Sequence, residues 1–188
     1  FLGIMRDQAG RMSRLVEDLL SLSKIEMNAA VLPSGAVAVG DLLHTVAESL
    51  SLQAERDNQK IVIESPPHLR VRGDADELTQ VFWNLIENAL KYGRESGKVS
   101  INVQPAEDDQ SIRIAVSDDG EGIEEEHLDR LTERFYRVDK GRSRAMGGTG
   151  LGLAIVKHIV ARHRGTLEIA STIGHGSTFS VILPAHKS

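Results

Sequence analysis

Between Phe1 and about Met27, apolar residues recur at heptad-like steps of three and four. Met5, Met12, Leu15, Leu19 and Leu22 form the seam, Ala9 and Val16 lie beside it, and charges occupy the other side. The spacing predicts one long helix. Alone, such a helix cannot hide its stripe, so a partner helix is expected, from upstream chain or another subunit; packing on its own domain is the alternative. The following NAAVLPSGAVAVG is rich in small residues, with Pro33 and Gly35, and reads as a linker. Then the period changes repeatedly. Asp41 to about Asp57 is predicted helical, with Leu42, Leu43, Val46, Leu50 and Leu52 apolar, and KIVIES (60–65) and LRVRG (69–73) are predicted strands. Asp74 to about Lys91 reads as a strong helix, opened by a capping box of Asp74 and Glu77. VSINVQPA and SIRIAVSDD alternate as strands across the polar turn EDDQ. Glu124 to Leu131 is a short helix, 136–148 are irregular and basic, Gly150 to about His163 is a helix, and TLEIAS and STFSVILP form a final hairpin. Residues 1–30, 31–40 and 41–188 thus read as helix, linker and an α/β domain with its strands in hairpins and its helices on one face.

Composition narrows the classes. A length of 188 residues suits one domain, or one domain with an appended element. A net charge of −5 argues against a nucleic-acid binder that works by neutralising phosphates. The absence of cysteine excludes a disulfide framework and a Cys-based zinc site, and fits an intracellular compartment. No apolar run approaches the ~20 residues that span a bilayer, and no stretch reads as a signal peptide. Because the chain opens inside an amphipathic pattern with no initiating Met, it is expected to be part of a longer protein.

Candidate chemistry lies in three stretches. On a helical wheel, QVFWNLIENALKYG places Leu78, Phe82, Leu85, Ile86 and Ala89 in one apolar sector. Asn84, Asn88 and Lys91 fall together on another face, with Tyr92 beside them. Asn is not a favoured residue inside helices, and amide oxygens are hard neutral ligands of the kind Mg²⁺ takes beside phosphate. A solvated helix face also fits. DDGEGI sets Asp118 at a strand end, followed by Gly120, Gly122 and Ile123. The carboxylate suits an exocyclic amine, the glycines let a flat ring approach, and Ile123 offers apolar contact. A plain Asp-Gly turn also fits. GGTGLG leads into a helix whose N-terminal N–H groups and dipole suit a phosphate, after a loop carrying Arg137, Lys140, Arg142 and Arg144. It is neither a Walker loop, since no GK[ST] follows, nor a dinucleotide fingerprint, since no strand precedes it.

In this order, NLIENALKYG, DDGEGI, LTERFYRVDKGRSR and GGTGLGLAIVKHIV resemble the N, G1, F and G2 boxes of sensor histidine kinases. The resemblance covers roughly Val39 to Pro184 and is to the catalytic ATP-binding domain, the Bergerat (GHKL) fold shared with DNA gyrase, chaperone and mismatch-repair ATPases. SRLVEDLLSLSKIE is similar to the second helix of the dimerisation and phosphotransfer hairpin, particularly of phosphate-sensor-type kinases. The implied fold is α+β: a two-layer α/β sandwich with a mixed sheet and helices on one face, preceded by the long hairpin helix.

The resemblance also implies roles. Asn88 would hold Mg²⁺ and Asn84 would support the phosphates or metal waters. Lys91 would contact phosphate and Tyr92 would lie against adenine. Asp118 would accept from the adenine amine, with Gly120, Gly122 and Ile123 shaping the base pocket. Arg137 and Arg142 would reach the γ-phosphate, and Gly148, Thr149, Gly150, Leu151 and Gly152 would line the triphosphate. Phe135 and Tyr136 would couple the lid to the hairpin, whereas Glu87 reads as a surface helix residue. None of His44, His68, His127, His158, His163, His175 or His186 stands in the family's phosphoacceptor context, so the accepting His is expected upstream. The seven read as scattered surface or turn residues without metal-ligand spacing. The implied protein is a protein-histidine kinase of a two-component system. Its cofactors are ATP and Mg²⁺. Its partners are a response-regulator receiver domain and a second copy joined through the N-terminal helix and the missing hairpin helix. No nucleic acid is expected. Location is cytoplasmic, with bacterial inner-membrane anchoring only through missing upstream segments. The alternatives are another ATPase or serine kinase of the fold, or a degenerate nucleotide-sensing scaffold.

Overall fold

The structure, a computed structural model, describes residues 2–27, 31–138 and 148–186. Arg142, with Lys140, Arg144 and Gly147, lies outside them. Helix α1 (Leu2–Met27) precedes strand β1 (Gly35–Ala38) and helices α2 (Val39–Ser49) and α3 (Ser51–Arg56). Strands β2 (Lys60–Glu64) and β3 (Arg70–Gly73) lead to α4 (Ala75–Tyr92), then to β4 (Lys98–Pro105) and β5 (Ser111–Ser117). The short α5 (Glu125–Leu128), the helix α6 (Gly152–Arg162) and the hairpin β6 (Thr166–Thr172) and β7 (Gly176–Pro184) complete the fold.

The main sheet has the order β2-β4-β5-β7-β6 and is mixed, as expected: β2 and β4 are parallel and the other pairs antiparallel. Along β5 the side chains alternate, so Ile112, Ile114 and Val116 turn to one face and are buried. They join Val181 and Leu183 of β7, Leu78, Phe82, Leu85 and Ile86 of α4, and Ile155, Val156 and Ile159 of α6 in a single core. This is the helix-on-sheet, two-layer arrangement.

Three sequence readings change. The small-residue segment read as a linker contains β1, which pairs antiparallel with β3 in a separate two-stranded sheet, Val37 opposite Val71. Four residues are too few to declare a period. The helix expected from Asp41 starts at Val39 and breaks at Leu50, whose N–H donates to the carbonyls of Val46 and Ala47. The seam of α1 is split. Leu22 and Ile25 are buried against their own domain, while Met5, Met12, Val16 and Leu19 stay exposed.

The start of α4 also differs. Asp74 caps it, accepting from the N–H groups of Asp76 and Glu77, but Glu77 does not reach back to close a box. Its carboxylate pairs with Arg162 at the end of α6. The Asp74 N–H instead donates to His163 Nε2 at 3.0 Å, and His163 Nδ1 donates to the Ile159 carbonyl at 2.8 Å. His163 is thus a buried tether between two helix ends rather than a surface or turn residue.

Candidate functional site

Because Leu78, Phe82, Leu85, Ile86 and Ala89 are all buried, α4 presents Asn84, Asn88, Lys91 and Tyr92 elsewhere, and all four line one cavity of about 720 Å³. That volume lies within the range of small-molecule sites. Asp118, Gly122 and Ile123 line it from the loop after β5, Arg137, Gly148, Thr149 and Gly150 from the segments before α6, and Gly152 from its first residue. Three separate sequence stretches therefore meet at one site.

On α4, the Asn84 amide donates to the Gln80 carbonyl at 3.0 Å. The Asn88 amide makes no hydrogen bond to a described residue, although it is half-buried. Lys91 pairs with Glu87 at 2.9 Å. Glu87 is therefore no surface residue: it is half-buried, lines the cavity and balances the charge of Lys91, because the cavity spans more of the helix than the amide sector alone.

At the other end, Asp118 Oδ1 accepts from the Gly120 N–H at 2.8 Å. The backbone of Ser177 on β7 also lies against this carboxylate. Burial pushes the Asp118 carboxyl above the usual carboxylate range, against the Gly120 and Ser177 N–H groups that draw it down. The glycines here serve the loop before they serve any ligand. A Cβ on Gly120 would stand 2.1 Å from the Tyr92 carbonyl oxygen. Gly122 has φ +77°, and a Cβ there would stand 2.3 Å from the Thr172 carbonyl oxygen. Gly120 shapes the pocket from behind and is not on its wall. The Ile123 N–H is anchored on Ser171 Oγ at 2.8 Å.

Helix α6 opens into the same space. Its N-cap is Leu151, and no side chain caps it, in contrast with α4. Such an end leaves N–H groups and a positive dipole for an anion. Leu151 itself is fully buried, so its side chain belongs to the core and not to the cavity wall. Thr149 Oγ1 accepts from the Leu151 N–H at 3.3 Å. The Phe135 N–H donates to the Gly150 carbonyl at 2.8 Å, joining the preceding loop to the glycine turn. Phe135 is exposed, and Tyr136 bonds to His127 at 2.7 Å beneath the Arg130 guanidinium. An ion pair between Arg134 and Glu26 ties this segment to α1, a role expected of Phe135 and Tyr136.

Sequence reasoning missed several wall residues. Ser177 and Phe179 reach the cavity from β7, and Trp83 from α4. Arg14, Glu17 and Asp18 reach it from α1, where Asp18 accepts a hydrogen bond from Thr149 at 2.6 Å. Nothing local in those stretches signals a site. Among the described residues, no helix is long and apolar enough to cross a membrane.

Residues 73–187 match the family described as histidine kinase-, DNA gyrase B-, and HSP90-like ATPase. The phosphate regulon sensor protein PhoR of Pseudomonas aeruginosa is 43% identical over 176 residues, covering 94% of this chain and 39% of PhoR. The sensor-like histidine kinase SenX3 of Mycobacterium tuberculosis is 40% identical over 95% of this chain and 43% of SenX3. Full-length ShkA, solved in complex with AMPPNP, superposes with a TM-score of 0.82 at 28% identity, over 96% of this chain and 37% of ShkA. The chain thus spans well under half the length of these relatives.

Proposed function

The chain belongs to the histidine kinase-, DNA gyrase B- and HSP90-like ATPase family, and from that premise we propose that it is the ATP-binding catalytic part of a two-component sensor histidine kinase of the phosphate-sensor type. One observation carries the reading: an amide face, a half-buried carboxylate and an uncapped helix end open into a single cavity. Each end suits one part of ATP. Asp118 accepts from the adenine amine through Oδ2, with Tyr92 and Ile123 against the base. Lys91 and Arg137 meet the phosphates as cations, and Arg142 is proposed to join them. The backbone of 148–152 meets them through N–H groups.

Mg²⁺ fits the residues present, since a half-buried amide without a hydrogen-bond partner among the described residues is a neutral oxygen donor of the kind this ion accepts. Asn88 would hold it, with Asn84 supporting its waters. When bound, the ion would neutralise charge on the phosphates. What the protein itself supplies is position: phosphoryl transfer asks mainly for alignment and charge stabilisation. The acceptor is proposed to be a histidine imidazole outside these 188 residues, from which the phosphoryl passes to an aspartate of a response regulator. A cytoplasmic location follows from that chemistry, and dimerisation through α1 is part of the same proposal.

The test is transfer. The chain, labelled ATP and a separate hairpin polypeptide carrying the phosphoacceptor motif should give acid-labile label on the hairpin and none on the chain. Stable label on the chain, or release of free phosphate alone, would replace the reading by another kinase or ATPase of the fold.

Gly152 offers a finer test. A Cβ there would lie 2.9 Å from Asn84 Oδ1, so the amide and the α6 terminus approach each other only because residue 152 has no side chain. Gly152→Ala should weaken ATP binding about tenfold by moving one or the other. Stability should change by less than about 1 kcal/mol, because alanine suits a helix. Titration and thermal melting of the same variant separate the two effects.

A further inference from the structure

Arg14, Asp18 and Leu22 recur at intervals of four along α1 and so share one face. Burial of Leu22 against the domain carries Asp18 to the mouth of the cavity. There the Thr149 hydroxyl donates to Asp18 Oδ2 at 2.6 Å. A threonine hydroxyl has one proton, so while it is given to Asp18 it is not given to a phosphate oxygen.

The surroundings are acidic. Glu17 of α1 and Glu87 of α4 face Asp18 and, after burial itself, hold its carboxyl above the usual range; the Thr149 bond and Arg14 draw it down. Lys91, the nearby cation of α4, is already paired with Glu87. Two further ties keep α1 in place. The Ser21 hydroxyl donates to Gln80 Oε1 at 2.9 Å, and Glu26 pairs with Arg134.

We infer that Asp18 determines the site's preference between nucleoside diphosphates and triphosphates: with α1 docked, its carboxylate holds Thr149 at the phosphate end of the cavity and opposes a third phosphate there. The inference rests on the nucleotide reading above. Two phosphates are served by the backbone of 148–152. The third needs the Thr149 proton and the space beside Asp18, so its arrival and the docking of α1 compete. A triphosphate therefore carries a coupling to α1 that a diphosphate lacks.

Asp18→Asn isolates the charge, because an amide oxygen still accepts from Thr149. Calorimetric titration of this chain with ADP and with AMPPNP, at constant Mg²⁺, reads the preference. The variant should bind AMPPNP about tenfold more tightly than the parent and ADP within about twofold, as expected when one like charge is removed beside the third phosphate. The difference should shrink at high salt, which a merely structural effect would not do. Asp18→Ala should follow the same ranking. Weaker AMPPNP binding by Asp18→Asn, an equal shift for both nucleotides, or a salt-independent gain would each overturn the inference while leaving the nucleotide site standing. Failure of parent and variants alike to bind either nucleotide would remove the site reading and this inference together.

Discussion

Asp118→Asn is expected to weaken ATP binding about 100-fold while leaving the free protein no less stable. The geometry gives the reason. Oδ1 of Asp118 is held by the Gly120 N–H at 2.8 Å, and the proposed contact to the adenine amine is through Oδ2. An asparagine has one oxygen and one NH₂ group. If its oxygen stays with Gly120, the NH₂ meets the adenine amine, donor against donor. If the amide flips, the clash moves to Gly120. One buried donor is left unpaired in either case, which costs roughly 3 kcal/mol. The same change should relax discrimination against guanine nucleotides, whose ring offers an oxygen at that point.

Stability moves the other way. Burial raises the Asp118 pKa in the folded protein, so its contribution to stability is full below the unfolded value near 3.8 and is lost as pH rises through the raised folded value. At neutral pH the parent carries the cost of a buried charge and the asparagine variant does not. The stability gap should therefore open across that acid window and stay constant above it. Denaturant unfolding from pH 3 to 8, roughly the span over which such a carboxyl titrates, checks this alongside a nucleotide titration. A variant that keeps full affinity would remove Asp118 from the base site. A variant that loses stability at neutral pH would make it a structural residue.

What was legible in the sequence was local and periodic. The apolar sector of α4 was readable because a long helix on a flat sheet buries a stripe of period 3.6, and each of its five named residues is buried. The strands β4 and β5 were readable because they bury alternate residues. Asn88, Asp118 and Thr149 were found because each sits in a short motif, and the fold then brings those motifs to one cavity. What was lost was carried by long-range pairing. Nothing near β1 announces that it joins β3. Glu87 read as a surface residue, Glu77 as half of a capping box and His163 as a surface or turn residue, because each was judged from its local sequence alone. Each was instead claimed by a partner: Lys91, Arg162 and Asp74. Leu151 erred in the opposite direction, since its place in the glycine motif suggested the cavity but its size sent it to the core.

Glu77→Ala should destabilise the α4–α6 contact by about 3 kcal/mol, the usual cost of breaking a buried pair by removing one partner. The side chains of Glu77 and Arg162 are only 19% and 9% exposed, so water cannot readily replace the lost carboxylate. Alanine recovers a few tenths of a kcal/mol in helix propensity and forfeits a similar amount of dipole stabilisation, since Glu77 is in the first turn, so those effects cancel. Replacing both members together, Glu77→Leu with Arg162→Met, should cost much less, because no charge is then left buried. This asymmetry distinguishes a desolvated pair from a surface one, for which both changes would fall within about 1 kcal/mol. Denaturant midpoints at unchanged slope give the comparison. Binding should suffer as well. Glu77 and Arg162 join the start of α4 to the end of α6, while Asn84 and Gly152 meet where α6 begins, so the pair helps hold the two helices in register across the phosphate end of the site. The single variant should therefore lose ATP affinity several-fold even where it remains fully folded, and the double apolar variant should regain stability more completely than affinity.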